Sequence, residues 1–149
     1  MNNPKPLYEI INNLYQSSRI FIHQQVKHHN LTPTQWQVLH HLDQNNGNLT
    51  QFQLSQLMKR DLGQLTRLLN KMESESLIRK AIDKKDKRMK HIMLTKYARN
   101  KINPIKNEIT DFYNKQQQQF TTDEYTNLQN MLTKVLDFSY SPDLTPQPE

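Results

Sequence analysis

Apolar residues recur at three- and four-residue steps from Leu7 to His29 (Leu7, Ile10, Ile11, Leu14, Phe21, Ile22, Val26), the spacing of a long amphipathic helix. A second helix is expected from Thr32, where Thr-Pro-Thr-Gln supplies a capping box with Gln35 and a proline suited to the first helical position. It turns Trp36, Leu39 and Leu42 inward and stops at the Asn45-Asn46-Gly47-Asn48 turn. A third helix restarts at Thr50 with a capping box to Gln53 and is expected to bury Leu54, Leu57 and Met58. After a break at Arg60 to Gly63, a helix-like segment from Gln64 to Glu75 puts Leu65, Leu68, Leu69 and Met72 on one stripe, which makes the pair a helix-turn-helix.

The period then changes. Leu77 to Ile82 and Met89 to Leu94 mix β-branched and long apolar residues with Lys, Arg and His, and read as paired strands. Their connection, Asp83 to Arg88, is too long for a tight hairpin and reads as a protruding wing. Helical spacing returns with Tyr97, Ala98, Ile102, Ile105, Ile109 and Phe112, in a helix that Pro104 must kink or split. Thr121 and Glu124 form a third capping box ahead of Tyr125, Leu128, Met131, Leu132, Val135 and Leu136. The segment from Ser139 is proline-rich and expected to be disordered.

Charge adds a function to this order of elements. Fourteen of the twenty Lys and Arg residues lie between Lys59 and Lys101 with only five acids, so this stretch carries +9 within a chain of net +6. A helix followed by a cationic ribbon fits the outside of a nucleic-acid duplex. Gln64, Thr66 and Arg67 occupy the first turns of the exposed helix face, with Asn70 and Lys71 further along; Arg suits guanine and Gln suits adenine through paired hydrogen bonds. In the wing, Arg88 is the candidate for the minor groove and Lys84, Lys85 and Lys87 for phosphates, while Asp86 accepts hydrogen bonds from the turn or from Arg88. Thr50, Gln51 and Gln53 head a helix whose free N–H groups suit a phosphate, although capping explains Thr50 and Gln53 equally well.

The remaining composition excludes more than it adds. Cysteine is absent, which removes disulfides, thiolate metal sites and cysteine nucleophiles and is compatible with a cytoplasmic location. The two glycines, Gly47 and Gly63, each fall at an interruption of helical pattern and form no phosphate-cradling loop. His28 with His29 and His40 with His41 are adjacent pairs that point to different sides of a helix, so neither a metal nor another cofactor is expected. No apolar run is long enough to span a bilayer, and no grouping of side chains resembles an enzyme's triad. A chain of 149 residues with 34% hydrophobic content suits one domain that needs a partner subunit to cover its apolar faces.

The run Asp83-Lys-Lys-Asp86-Lys-Arg88, followed by Leu94-Thr95, resembles the DxR…LT wing signature of the MarR (multiple antibiotic resistance regulator) family of bacterial transcription factors. Leu31-Thr-Pro-Thr-Gln-Trp-Gln-Val-Leu is similar to that family's second helix, Leu65-Thr-Arg-Leu-Leu-Asn-Lys-Met-Glu to its recognition helix, and Phe120-Thr-Thr-Asp-Glu to its last helix start. Ser76 and Ala98 stand where the family usually has glycine. The resemblance implies a mainly α fold: a winged helix-turn-helix over 32–95 with a small antiparallel β-hairpin wing, flanked by dimerisation helices over 7–29 and 96–137. It further implies a homodimer on a near-palindromic double-stranded DNA operator, a repressor relieved by a small aromatic or phenolic effector. Arg19, His23 and Trp36 combine a cation, a titratable donor and an aromatic wall for such an effector; the competing reading places Trp36 in the core and Arg19 on the surface or at an interface. The alternative function is a winged-helix module that binds nucleic acid without sequence choice or serves an architectural role.

Overall fold

Side-chain caps set most of the helix starts. The computed structural model describes residues 4–140, in the order α1 (Leu7–His28), α2 (Pro33–Gln44), β1 (Asn48–Thr50), α3 (Gln51–Met58), α4 (Leu62–Ser74), β2 (Ile78–Ile82), β3 (Lys90–Leu94), α5 (Lys96–Gln117) and α6 (Thr122–Ser139). Thr32, Thr50 and Thr121 each accept a hydrogen bond from the backbone N–H three residues on, and Gln35, Gln53 and Glu124 each reach back to the cap N–H. All three expected capping boxes are therefore formed. Asp61 caps α4 by accepting from the Gln64 N–H at 2.9 Å.

Two compact units divide the chain, Met1–Ile109 and Thr110–Glu149. The first contains the winged helix-turn-helix. Leu39, Leu42, Leu54, Leu65, Leu69, Ile92 and Ile102 are all fully buried there, so α2, α3, α4, β3 and α5 contribute to one core. Gln35 joins two of these elements from within: beyond its part in the α2 cap, its Nε2 donates to a Glu75 carboxylate oxygen at 2.5 Å. The second unit contains the end of α5 and all of α6, where Met131, Val135, Leu136 and Phe138 are exposed.

Several expectations need correction. The wing is part of a three-stranded antiparallel sheet, order β1-β3-β2, because Asn48–Thr50 pairs with β3 (Leu49 opposite Ile92) as well as leading into α3. Three residues give too short a pattern to read as a strand. The recognition helix begins at Leu62 rather than Gln64, so Gly63 lies in its first turn and only Lys59 to Asp61 separate it from α3. Leu57, expected to be buried, is 48% exposed, and Tyr97, on the helical spacing of α5, is 55% exposed. Of the two outcomes expected at Pro104, a kink or a split, the split does not occur: α5 runs on through it with one backbone donor fewer. The tail from residue 141 lies outside the described residues.

Gly47 meets a turn with φ +77°, and a side chain there would collide with the Arg99 guanidinium. Ser76 also lies in the left-handed region, at φ +59°, between α4 and β2. This conformation costs a residue with a Cβ about 1 kcal/mol that glycine avoids. Ser76→Gly is expected to stabilise the protein by about that amount, offset in part by glycine's greater unfolded-state entropy, and to raise the urea midpoint without changing the slope. An unchanged or lower midpoint would show that Ser76 is unstrained. Gln35→Ala is expected to cost about 2 kcal/mol in the same assay, through loss of half a capping box and of the bond to Glu75.

Candidate nucleic-acid interface

The recognition helix presents two kinds of polar side chain. Gln64 and Arg67 are exposed, and their side chains make no hydrogen bond or ion pair among the described residues. Thr66, Asn70 and Lys71 are already engaged. The Thr66 hydroxyl donates to the Leu62 carbonyl at 2.6 Å and accepts from Gln51 Nε2 at 2.6 Å. Asn70 Oδ1 accepts from the Lys80 ammonium, which also lies 3.6 Å from Glu73, and Lys71 lies 4.0 Å from Glu75. At the head of α3, Thr50 and Gln53 are held to each other by the capping box. Of the residues read as contacts on these two helices, Gln64 and Arg67 are thus the ones whose side chains are uncommitted.

The wing is a loop tied together by two carboxylates. Asp83 Oδ1 accepts from the backbone N–H groups of Lys85 (2.7 Å) and Asp86 (2.9 Å), and Asp83 Oδ2 lies 3.0 Å from His91 Nε2. Asp86 Oδ1 accepts from the Arg88 backbone N–H at 2.9 Å. The carboxylate therefore orders the Arg88 backbone, one of the turn bonds expected of it. Backbone bonds from Asp83 N–H to Met89 and from Met89 N–H to Asp86, both 2.9 Å, close the loop. Lys84, Lys85, Lys87 and Arg88 remain exposed, and their side chains have no partner among the described residues.

Asp83 was not among the site residues read from the sequence, although an Asp that opens a turn and bonds the N–H groups two and three residues on is a recurrent turn device. Its carboxyl is held below the usual carboxylate range, first by the Asp86 N–H, then by the His91 side chain and the Lys85 N–H.

Arg19, His23 and Trp36 are not assembled into a site. Arg19 is exposed on α1, whereas Trp36 is 8% exposed in the core and its ring stacks on His40, with centroids 5.6 Å apart. Partial burial, then the neighbouring His41, keep the His40 pKa below its ordinary value. A cavity of about 640 Å³ in the first unit is lined by other residues, among them Lys27, Gln35, Lys71, Glu75, Tyr97 and Lys101. Among the described residues, no group of three or more His, Asp or Glu side chains is placed to hold a metal ion, and no helix is long and apolar enough to cross a membrane.

A helix-turn-helix with an exposed second helix, beside a cationic wing built on a three-stranded sheet, defines a winged helix-turn-helix fold. Residues 29–89 match the family model described as MarR family. Solved structures resemble it over nearly their whole length. Wild-type MarR from E. coli in its apo form is 24% identical, with 91% of this chain and 99% of that chain covered and a TM-score of 0.73. A MepR mutant from S. aureus is 21% identical, with 89% and 98% covered and a TM-score of 0.77. A MarR mutant from E. coli complexed with operator DNA is 24% identical, with 88% and 94% covered and a TM-score of 0.68.

Asp83→Ala is expected to release the Lys85 and Asp86 amides, raising their hydrogen-exchange rates at neutral pH while the core amides of α4 stay protected. Acid should reproduce the effect in the unsubstituted protein. A carboxyl whose pKa falls on folding stabilises the ordered wing above its ordinary value of 3.8 and loses that contribution as pH falls through the lowered value. Unchanged exchange at Lys85 and Asp86 in the variant would remove Asp83 from the wing's support.

Proposed function

We propose that the protein is a homodimeric, sequence-specific regulator of transcription that places α4 in the major groove and the wing in the adjacent minor groove. The observation that carries this reading is the pairing of uncommitted side chains on two neighbouring elements: Gln64 and Arg67 on α4, and Lys84, Lys85, Lys87 and Arg88 on the wing. Arg67 and Gln64 have the donor and acceptor sets for base edges, and the wing cations suit phosphates and a narrow minor groove. Thr50, Gln51, Gln53, Thr66, Asn70 and Lys71 act around them, by contact or by holding the surface in shape. The E. coli relative bound to operator DNA supports the same use of this fold.

The dimer rests on apolar surface left open within each unit. Leu7, Ile10, Ile11 and Leu14 of α1 are 39–51% exposed, and Met131, Val135 and Leu136 of α6 are 37–59% exposed. A second copy that covers these faces also supplies the second recognition helix for a near-palindromic site. Repression in the cytoplasm, relieved by a small effector, is the mode of action that the family resemblance favours.

Fluorescence anisotropy with DNA from immediately upstream of the encoding gene, alongside a shuffled duplex and over a salt series, tests the reading. A preference of about 10³ or more for the native fragment at physiological salt is expected. Arg67→Ala is expected to lower affinity and relax specificity at one position, by about tenfold or more, while Lys85→Ala should weaken all sequences alike and flatten the salt slope by about one. Equal affinity for both duplexes with a steep salt slope would favour a module without sequence choice. Sedimentation should give twice the chain mass of 17.8 kDa, and a monomer at micromolar concentration would remove the dimer.

A further inference from the structure

Phe52, Leu62 and Met89 are 63%, 50% and 41% exposed although they belong to the helix-turn-helix and wing that carry the basic patch. They line one hollow of about 460 Å³, each from a different element: Phe52 from α3, Leu62 from the first turn of α4, and Met89 from the base of the wing. Arg88 and Lys90 lie along its wing side. An apolar floor beneath cations is an unusual arrangement for a surface that only needs to be soluble.

The position of the hollow identifies what fits it. On one side stands the helix proposed to enter the major groove, and on the other the wing proposed to reach the minor groove. What separates the two grooves of a duplex is one strand's sugar–phosphate backbone, so the hollow faces that strand. Its cations match the phosphates. Its three apolar side chains match the only apolar part of the backbone, the C–H faces of the sugar.

We propose that Phe52, Leu62 and Met89 form a deoxyribose seat and make the protein selective against ribose; the proposal rests on the DNA-binding reading above. A 2′-hydroxyl at the seated nucleotide would be pressed against carbon. The Thr66 hydroxyl proton is already given to the Leu62 carbonyl and the Thr50 hydroxyl proton to Gln53 Oε1, so neither hydroxyl has a proton left to donate to it. The 2′-hydroxyl is the group by which a protein distinguishes RNA from DNA at a given site, and burying it without a partner is unfavourable.

The test uses the full-length protein and a duplex that it selects from a randomised library, with a single ribonucleotide placed at each position in turn. One position per half-site is expected where the ribonucleotide lowers affinity about tenfold. In Phe52→Ala and Leu62→Ala the penalty at that position should fall to about threefold or less, with penalties elsewhere unchanged, while the conservative Leu62→Met keeps it. Circular dichroism establishes that the variants fold. A penalty equal in the original protein and both alanine variants overturns the seat while leaving DNA binding intact. So does a variant that changes instead the response to deoxyuridine in place of thymidine, since the three residues would then be reading a base methyl. Failure to select or bind any duplex overturns the DNA-binding reading, and the seat with it.

Discussion

The register of β3 fixes the distance between recognition helix and wing. Ile92, fully buried, lies opposite Leu49 on β1 and Lys80 on β2, and Leu94 lies opposite Ile78. Because side chains alternate along a strand, a slip of one residue would turn Ile92 out of the core and bring His91 and Met93 in. The same register sets Thr50 opposite His91, and Thr50 is the cap of α3. One strand thus connects the start of the helix-turn-helix to the base of the wing. Thr95 secures its far end by donating to the Ser76 carbonyl at 2.8 Å and accepting from the Ala98 N–H at 3.0 Å, where β3 passes into α5.

Within that frame the polar residues of the proposed DNA-facing surface divide by what they already hold. Thr66, Gln51 and Asn70 are tied into internal hydrogen bonds that connect α3 to α4 and α4 to β2. Gln64 and Arg67 extend from the same face without such ties. A site built this way has a stiff surround and a few adaptable contacts, so binding orders few side chains beyond those that touch the ligand.

Much of this was legible from residue spacing. The capping boxes at Thr32, Thr50 and Thr121 are local, depending on residues three apart, and all three form. The α4 stripe of Leu65, Leu69 and Met72 was readable for the same reason. What the spacing did not reveal depends on partners distant in sequence. β1 exists because Leu49 meets Ile92, 43 residues later, and its three residues show no period of their own. Leu57 and Tyr97 fit a helical stripe yet are exposed, since a stripe gives a direction and not the width of the surface that covers it. Trp36, by contrast, was turned inward by its spacing as well as weighed as a ligand wall, and it is core. The wing was recognised from its charge, but the role of Asp83 required knowing that its carboxylate turns back to its own loop.

That turn decides how the wing keeps its charge. Asp83 and Asp86 stand among Lys84, Lys85, Lys87 and Arg88, and direct ion pairs between them would have neutralised half of the loop. Instead both carboxylates accept from backbone N–H groups, and the cationic side chains are left to solvent. The loop is ordered by its anions without losing its cations. Four like charges in five residues repel one another, and solvent and salt relieve this only in part. A polyanion seated on the wing relieves it further, so the interaction that holds the wing in shape also leaves it with an affinity for phosphates.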